Sequence, residues 1–141
     1  MTKKGILLVE DNPDDEELTR RALKKHGLVN DVTVAHDGAE ALHYLLPGDG
    51  TGPPGYGLVL LDLKLPKIDG LEVLRRVRSD GRTRLVPIVV LTSSKEQEDI
   101  MASYSSGANA YVRKPVKFAE FAEAVSTLGM FWLLLNEPPS E

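Results

Sequence analysis

The chain has no cysteine, few aromatic residues and no long apolar run. The lack of cysteine excludes a disulfide framework and any metal site built from thiolates. The apolar segment at residues 130–135, MFWLLL, is far shorter than the roughly 20 residues that a transmembrane helix requires. The apolar run near the amino terminus is too short for the core of a signal peptide. We therefore expect a protein of the cytoplasm that makes no contact with membranes.

A basic excess is also missing, since 17 lysines and arginines face 21 acidic residues and the net charge is -4. No segment combines clustered basic residues with aromatic ones, so nucleic acid is not expected as a direct partner. What the chain does have is a globular composition, with 42% hydrophobic and 27% charged residues. Its 141 residues fit one ordinary domain.

Short apolar runs alternate with amphipathic segments five times along the chain. Residues 47–57 are rich in glycine and proline and are assigned to the longest loop. Right-handed crossovers between such units give a parallel sheet with helices on both faces, which is an α/β sandwich. The predicted strands are residues 5–10, 32–35, 58–61, 87–91 and 110–112. The predicted helices begin near Asn12, Asp37, Leu71, the segment 94–97 and Phe118.

Polar residues follow the predicted strands at the edge where parallel sheets bind ligands. Three carboxylates meeting there repel one another and stay ionised only if a cation shares the pocket, and hard oxygen ligands suit Mg²⁺. A carboxylate on a rigid strand end can attack phosphorus when a metal and a lysine neutralise the phosphoryl oxygens, while a hydroxyl binds the transferred group. The residues in question are Glu10, Asp11, Asp62, Thr92 and Lys114.

Six short motifs resemble the receiver domain of two-component response regulators, and their order and spacing make the resemblance specific. It covers residues 4–128, leaving a helix extension and tail at 129–141, and implies one domain over 1–141. The implied fold is the flavodoxin-like (βα)5 sandwich, with five parallel strands in the order 2-1-3-4-5. The motifs are LVEDN at 8–12, LLDL at 60–63, LPKIDG at 65–70, VLTS at 90–93, GANAY at 107–111 and KP at 114–115.

The resemblance implies that Asp62 accepts a phosphoryl group. It also implies that Asp11 and Asp62 bind Mg²⁺ directly, that Glu10 acts mainly through water, and that the carbonyl of Lys64 is a further ligand. The output would be conformational, so the protein would be a signalling domain that catalyses only its own phosphorylation and dephosphorylation, and no separate enzyme activity is expected.

The same resemblance implies a switch. Thr92 would move toward the phosphoryl group and Tyr111 would turn inward behind it, repacking the face made by the fourth helix, the fifth strand and the fifth helix. The bond between Lys114 and Pro115 would be cis, which is uncommon enough to be a structural prediction.

The implied phosphoryl donor is a sensor histidine kinase, and a histidine phosphotransfer protein is a further partner in a phosphorelay. A narrower resemblance is to the small stand-alone regulators that partner bacterial phytochrome kinases, and members of that group suggest a twofold homodimer through residues 129–137. This narrower resemblance rests on Asp99, Ile100, Ser103, Tyr104, Phe118, Phe121 and the extension that contains Trp132.

Three other classes of protein share parts of this pattern. An Mg²⁺-dependent phosphohydrolase with an aspartyl nucleophile usually has a second acid two residues beyond it, where this chain has Lys64. A pseudo-receiver would lack an acceptor or a metal acid, and the set is complete here. A flavin protein of similar topology would need a hydroxyl-rich loop after the first strand, but residues 11–17 are acidic. Lys64 itself is expected to contact the phosphoryl group or to impede attacking water.

Overall fold

Five strands alternate with four helices in the structure, a computed structural model that describes residues 5–25, 31–49, 55–114 and 119–120. Of the predicted fifth helix only residues 119–120 are described, and both are helical. The Lys114 to Pro115 bond and the extension at 129–141 lie outside the described residues. The strands are β1 Gly5–Val9, β2 Val32–Ala35, β3 Tyr56–Leu61, β4 Ile88–Thr92 and β5 Ala110–Arg113. The helices are α1 Pro13–Lys25, α2 Gly38–Leu45, α3 Gly70–Ser79 and α4 Gln97–Ser105.

All strand pairs are parallel, and the sheet has the order β2-β1-β3-β4-β5, which confirms the predicted order and the flavodoxin-like fold. In β1, Val9 lies beside Ala35 of β2 and Leu61 of β3, so the carboxyl ends of these strands meet at one edge. This edge carries the polar residues that the sequence singled out. Among the described residues, every helix is too short or too polar to cross a bilayer.

The third strand begins earlier than the sequence predicted. We expected residues 47–57 to be loop, but β3 starts at Tyr56. Gly5 pairs with Tyr56 and Ile6 pairs with Leu58, so Gly57 is an extra residue in the register between β1 and β3. Glycine is a weak strand former that often marks such an irregularity, which is why its position was assigned to the loop.

Side-chain caps fix the starts of two predicted helices. Asn12 Oδ1 accepts the backbone N–H groups of Asp14 at 2.9 Å and Asp15 at 3.1 Å, which starts α1 as predicted. Asp37 accepts the N–H of Glu40 at 2.7 Å and starts α2. Because each cap is local in sequence, these starts were readable from the residue types alone.

The start of α4 falls within the predicted segment, but the helix is capped differently from α1 and α2. The segment 94–97 was expected to cap the helix, and the cap residue is Glu96, but its side chain makes no capping bond. Ser94 lies two residues earlier, accepts the N–H of Glu96 at 3.2 Å and donates to a carboxylate oxygen of Asp99 at 2.5 Å. Ser94 therefore contacts the helix through the Asp99 side chain, whereas a capping pattern predicts a contact with a backbone N–H group of the helix.

The core has two layers, one on each face of the sheet, because successive side chains of a strand point to opposite faces. In β1, Leu7 and Val9 face α2 and α3, whereas Ile6 and Leu8 face the side that Leu23 of α1 covers. All five are at most 1% exposed. Burial on both faces explains the nearly continuous apolar sequence of the strands.

Arg78 ties the end of α3 to the turn before β5. Its Nε donates to the carbonyl of Gly107 at 2.8 Å, while Nη1 donates to the carbonyl of Val86 at 2.6 Å and Nη2 to Asn109 Oδ1 at 2.9 Å. The same Asn109 oxygen accepts the N–H of Ile88 at 2.7 Å. Burial lowers the pKa of the Arg78 guanidinium. The arginine thus joins three separate segments through its fixed fork of donors.

Candidate functional site

Two acidic residues continue the sheet one position beyond its strands. The N–H of Glu10 donates to the carbonyl of Ala35 at 2.9 Å, and the N–H of Asp62 donates to the carbonyl of Val9 at 3.1 Å. Glu10 is 2% exposed and Asp62 is 8% exposed. Both carboxylates are therefore held on a rigid backbone and are largely withdrawn from water.

Glu10 and Asp62 form a cluster with Asp11, in which one carboxylate oxygen of each residue lies within 4.8 Å of the others. Asp11 is exposed, so the cluster opens to solvent on one side. Three carboxylates this close need a cation to offset their repulsion. The donors are all oxygen, and the open side leaves room for water and a phosphoryl oxygen, which are the conditions that Mg²⁺ requires. The residues fit a divalent ion.

Lys114 approaches the same cluster from the end of β5. Its N–H donates to the carbonyl of Thr92 at 2.8 Å, which fixes the start of the side chain. The ammonium group donates to Asp62 Oδ2 at 3.1 Å, to Asp15 Oδ2 at 3.0 Å and to Glu10 Oε1. The side chain is only 15% exposed. One cation is thus surrounded by three carboxylates from three different segments.

The site shifts the ionisation of two of these groups. Burial raises the pKa of Glu10, the Lys114 hydrogen bond lowers it and the charge of Asp62 raises it, with a net upward direction. For Lys114, burial lowers the pKa, but its hydrogen bonds to Glu10 and Asp15 and the charge of Asp62 outweigh burial and raise the pKa. Lys114 is therefore positively charged at neutral pH.

Thr92 and Tyr111 meet through Ser94. Thr92 ends β4, is fully buried and accepts the N–H of Ser94 on its hydroxyl at 3.3 Å. The Tyr111 hydroxyl donates to the carbonyl of Ser94 at 2.9 Å, and burial raises the pKa of this phenol. The side chain of Ser94 binds Asp99 on α4. The two predicted switch residues are therefore linked to each other and to the first turns of α4.

The loop between β3 and α3 forms the wall beside Asp62. The N–H of Lys64 donates to Asp62 Oδ1 at 3.2 Å, and the lysine side chain is exposed. Lys67 has a φ of 68°, an unusual backbone conformation for a residue other than glycine, and its ammonium lies 3.3 Å from the Asp37 carboxylate. An open pocket of about 410 Å³ adjoins this loop, and its polar lining is Asp11, Lys64, Asp69 and Asp99.

The predicted acceptor, metal acids and lysine meet at this edge, but sequence reasoning missed Asp15, which contacts Lys114, and Asp99, which binds Ser94 beside Thr92. Asp15 was interpreted only as an acid near the positive end of a helix, and Asp99 only as part of a resemblance. The chain has four successive acids at 14–17, and nothing in that run indicates which one faces the sheet. The one signal in the sequence that narrows the choice among these four acids is the helical periodicity counted from the cap at Asn12.

The sequence model of the response regulator receiver domain matches residues 6–126. The chain belongs to this family. It is therefore a signalling protein of the two-component type, and the class of partner that acts on such domains is the histidine kinase. The match spans every described strand and helix except Gly5, the first residue of β1, so this receiver domain contains the whole candidate site.

Three relatives are informative. Response regulator Rcp1 of Synechocystis is 36% identical over 92% of this chain and 89% of its own, and its Mn²⁺-bound form has a TM-score of 0.75, with 97% and 99% covered at 35% identity. The bacteriophytochrome response regulator AtBRR is 53% identical, with a TM-score of 0.79 and coverage of 97% and 100%. The phosphorylated cyanobacterial phytochrome response regulator RcpA is 37% identical, with a TM-score of 0.75 and coverage of 99% and 100%.

Proposed function

We propose that this receiver domain accepts a phosphoryl group on Asp62 from a sensor histidine kinase, with Mg²⁺ bound by Glu10, Asp11 and Asp62 and by the carbonyl of Lys64. The observation that carries the proposal is the placement of the Asp62 carboxylate. It lies within 4.8 Å of two other acids, receives hydrogen bonds on both oxygens and is 8% exposed. A fixed, shielded carboxylate beside a cation site is what an acyl phosphate requires.

The transfer needs few groups. An oxygen of Asp62 attacks the phosphorus of a phosphohistidine, forming a new O–P bond as the N–P bond to the imidazole breaks. Bound Mg²⁺ would neutralise charge on the phosphoryl oxygens. Lys114 supplies a second positive charge next to Asp62, and the N–H of Lys64 orients the carboxylate. The leaving imidazole remains part of the kinase as its histidine side chain and takes up a proton from water.

The relatives support both the chemistry and a kinase of the phytochrome type. RcpA has been seen phosphorylated and Rcp1 with Mn²⁺, and AtBRR, at 53% identity, is a bacteriophytochrome response regulator. We infer a phytochrome-type kinase as the phosphoryl donor for this chain. Relay to a histidine phosphotransfer protein and a homodimer are further parts of the proposal.

The switch proposal rests on the connections of Ser94. The Thr92 hydroxyl, which accepts the N–H of Ser94, would leave that donor and itself donate to a phosphoryl oxygen, and Tyr111 would follow through its bond to the same serine. This exchange would loosen the bond between Ser94 and Asp99 and repack the surface of α4 and β5 for the next partner. The phosphohydrolase alternative lacks support, because Lys64 stands where such enzymes usually have an acid.

Incubation with acetyl phosphate and Mg²⁺, followed by mass spectrometry of the intact chain and its peptides, tests the acceptor. We expect one phosphoryl group, located on Asp62 and absent after chelation of Mg²⁺. Asp62→Asn should prevent labelling, whereas Asp80→Asn should not, since Asp80 pairs with Arg82 in the turn after α3, away from the cluster. Labelling of another residue in the wild type, or unchanged labelling of Asp62→Asn, would contradict the proposal.

A further inference from the structure

We propose that Asp15 is a positioning residue for Lys114, holding its ammonium group at the acceptor while the other two carboxylates are engaged with metal and phosphoryl group. The inference rests on the proposed function of Asp62 and adds a residue to its machinery. Neither the acid cluster nor the family motifs include Asp15.

The geometry of Asp15 is fixed from its own side. It lies in the first turn of α1, where Asn12 Oδ1 accepts its backbone N–H at 3.1 Å. Its carboxylate accepts a hydrogen bond from Lys114 at 3.0 Å across a separation of 99 residues. The Asp15 side chain is 38% exposed, which makes it the most solvent-exposed of the three carboxylates that contact Lys114.

The charges around Lys114 give Asp15 its separate role. Glu10 and Asp62 belong to the cluster that fits a divalent ion, whereas Asp15 does not. When the ion is bound, it shares those two carboxylates and repels the ammonium group. Asp15 is then the one carboxylate, among the three that contact Lys114 here, whose charge is not divided with the metal. It opposes the displacement of the lysine.

Phosphorylation of Asp62 also requires that Lys114 be held in place. Once an oxygen of Asp62 is bonded to phosphorus, that carboxylate has lost its full charge, and Lys114 must turn to the phosphoryl oxygens. A lysine side chain has several rotatable bonds and loses much freedom when it is held in one place. The fixed carboxylate of Asp15 reduces the number of positions that the Lys114 ammonium group can take. Asp15 does this without binding the phosphoryl group itself.

The chain provides a closely matched control in Asp14. Asp14 and Asp15 are adjacent acids in the same helical turn, and Asn12 Oδ1 accepts both of their N–H groups. Asp14 is exposed and is not among the acids that contact Lys114. Asp14→Asn and Asp15→Asn therefore remove the same charge from the same helix end, but only the second neutralises a carboxylate that pairs with the lysine.

The first measurement is the initial rate of phosphorylation by acetyl phosphate at saturating Mg²⁺. Because Asp15 is partly exposed, we expect Asp15→Asn to slow the rate by about three- to fivefold, and Asp14→Asn to remain near the wild type. The second measurement is the NMR signal of the Lys114 ammonium group with and without Mg²⁺. We expect Asp15→Asn to shift it in both states, which a purely structural role in α1 would not require.

A double-mutant cycle decides whether Asp15 acts through Lys114. In a Lys114→Gln background, Asp15→Asn should cause no further loss of phosphorylation rate. An equal loss in both backgrounds, a lysine signal that is insensitive to Asp15→Asn, or equal effects of Asp14→Asn and Asp15→Asn would each overturn the inference. If wild-type Asp62 is not phosphorylated but the lysine signal depends on Asp15, the proposed function fails and the pairing stands.

Discussion

Helices α3 and α4 both line the pocket next to the acceptor loop, and they are held by different forces. α3 buries Val73, Leu74 and Val77 completely against the sheet. In α4 the one fully buried residue is Ser103, while Met101 is 61% exposed and carries its apolar surface into solvent. α3 is fixed by apolar burial, whereas α4 depends largely on polar contacts.

This difference separates the stable part of the site from the part that can change. Removing an apolar side chain from a packed interior costs several kcal/mol, whereas exchanging one hydrogen bond for another costs about 1 kcal/mol or less. The loop that carries Asp62 runs into α3, and the serine that contacts Thr92 binds α4. The acceptor is thus connected to α3, which is held rigidly, and the proposed switch acts on α4, whose displacement costs little free energy.

The largest expected effect is that of Leu74→Ala in α3. Leu74 is fully buried in the layer between α3 and the sheet, so its truncation should lower the free energy of unfolding by about 3 kcal/mol. The matched change in α4, Met101→Ala, removes a mostly exposed side chain and should change it by less than about 0.5 kcal/mol. Urea unfolding of both variants measures the contrast, and similar losses would break the comparison.

The second largest effect is expected from Gly70→Ala, at the start of α3. A methyl group there would lie 2.3 Å from the carbonyl oxygen of Asp62 and 2.7 Å from Cα of Leu63, so the backbone must shift. We expect a loss of about 2 kcal/mol in stability and slower phosphorylation of Asp62. Gly81→Ala, which would meet nothing within 4 Å, is the control for stability and rate.

A smaller effect should follow from Ser94→Ala on the α4 side. Removing the hydroxyl that binds Asp99 should increase hydrogen exchange of the first α4 amides by about fivefold, corresponding to about 1 kcal/mol, with little change in global unfolding. Glu98→Gln changes an exposed acid in the same turn and serves as the control. Unchanged exchange in Ser94→Ala would mean that this hydrogen bond does not hold α4.

The smallest effect concerns Lys64, at the rim on the α3 side. If its exposed ammonium impedes water, Lys64→Ala should shorten the lifetime of the acyl phosphate by about twofold, the size expected for a solvated charge. The decay of phosphorylated protein after removal of acetyl phosphate measures this lifetime. Lys67→Ala, further along the same loop and paired with Asp37, is the matched control. An unchanged lifetime in Lys64→Ala would remove the idea.

Features set by neighbouring residues were predictable from the sequence. The buried strands and the acids that follow them are local patterns, so the order of the residues alone places Glu10, Asp11 and Asp62 at one edge of the sheet. The order of the strands is not local, and it followed from the resemblance to the receiver family. The predicted start of β3 was wrong, because Gly57 belongs to the strand although the segment around it has the composition of a loop.

The contacts between distant segments were beyond sequence reasoning. Asp14 and Asp15 are adjacent acids, and although the helical phase from Asn12 narrows the choice, it is the contact with Lys114 at the end of β5 that distinguishes them. Similarly, the bond between Ser94 and Asp99 is present in place of an ordinary helix cap. Whether this bond forms depends on where the end of β4 places Ser94 relative to α4. Such pairings become visible only when the sheet edge is assembled.

The arginine between α3 and the α4 to β5 turn determines how α4 can be displaced. Arg78 grips the carbonyl of Gly107 and the side chain of Asn109 just beyond the last turn of α4, while the first turns depend on Ser94. The carboxyl end of α4 is therefore held more firmly than its amino end. Any displacement of the helix is greatest at the amino end, so a partner that recognises the position of α4 does so best by contacting its first two turns.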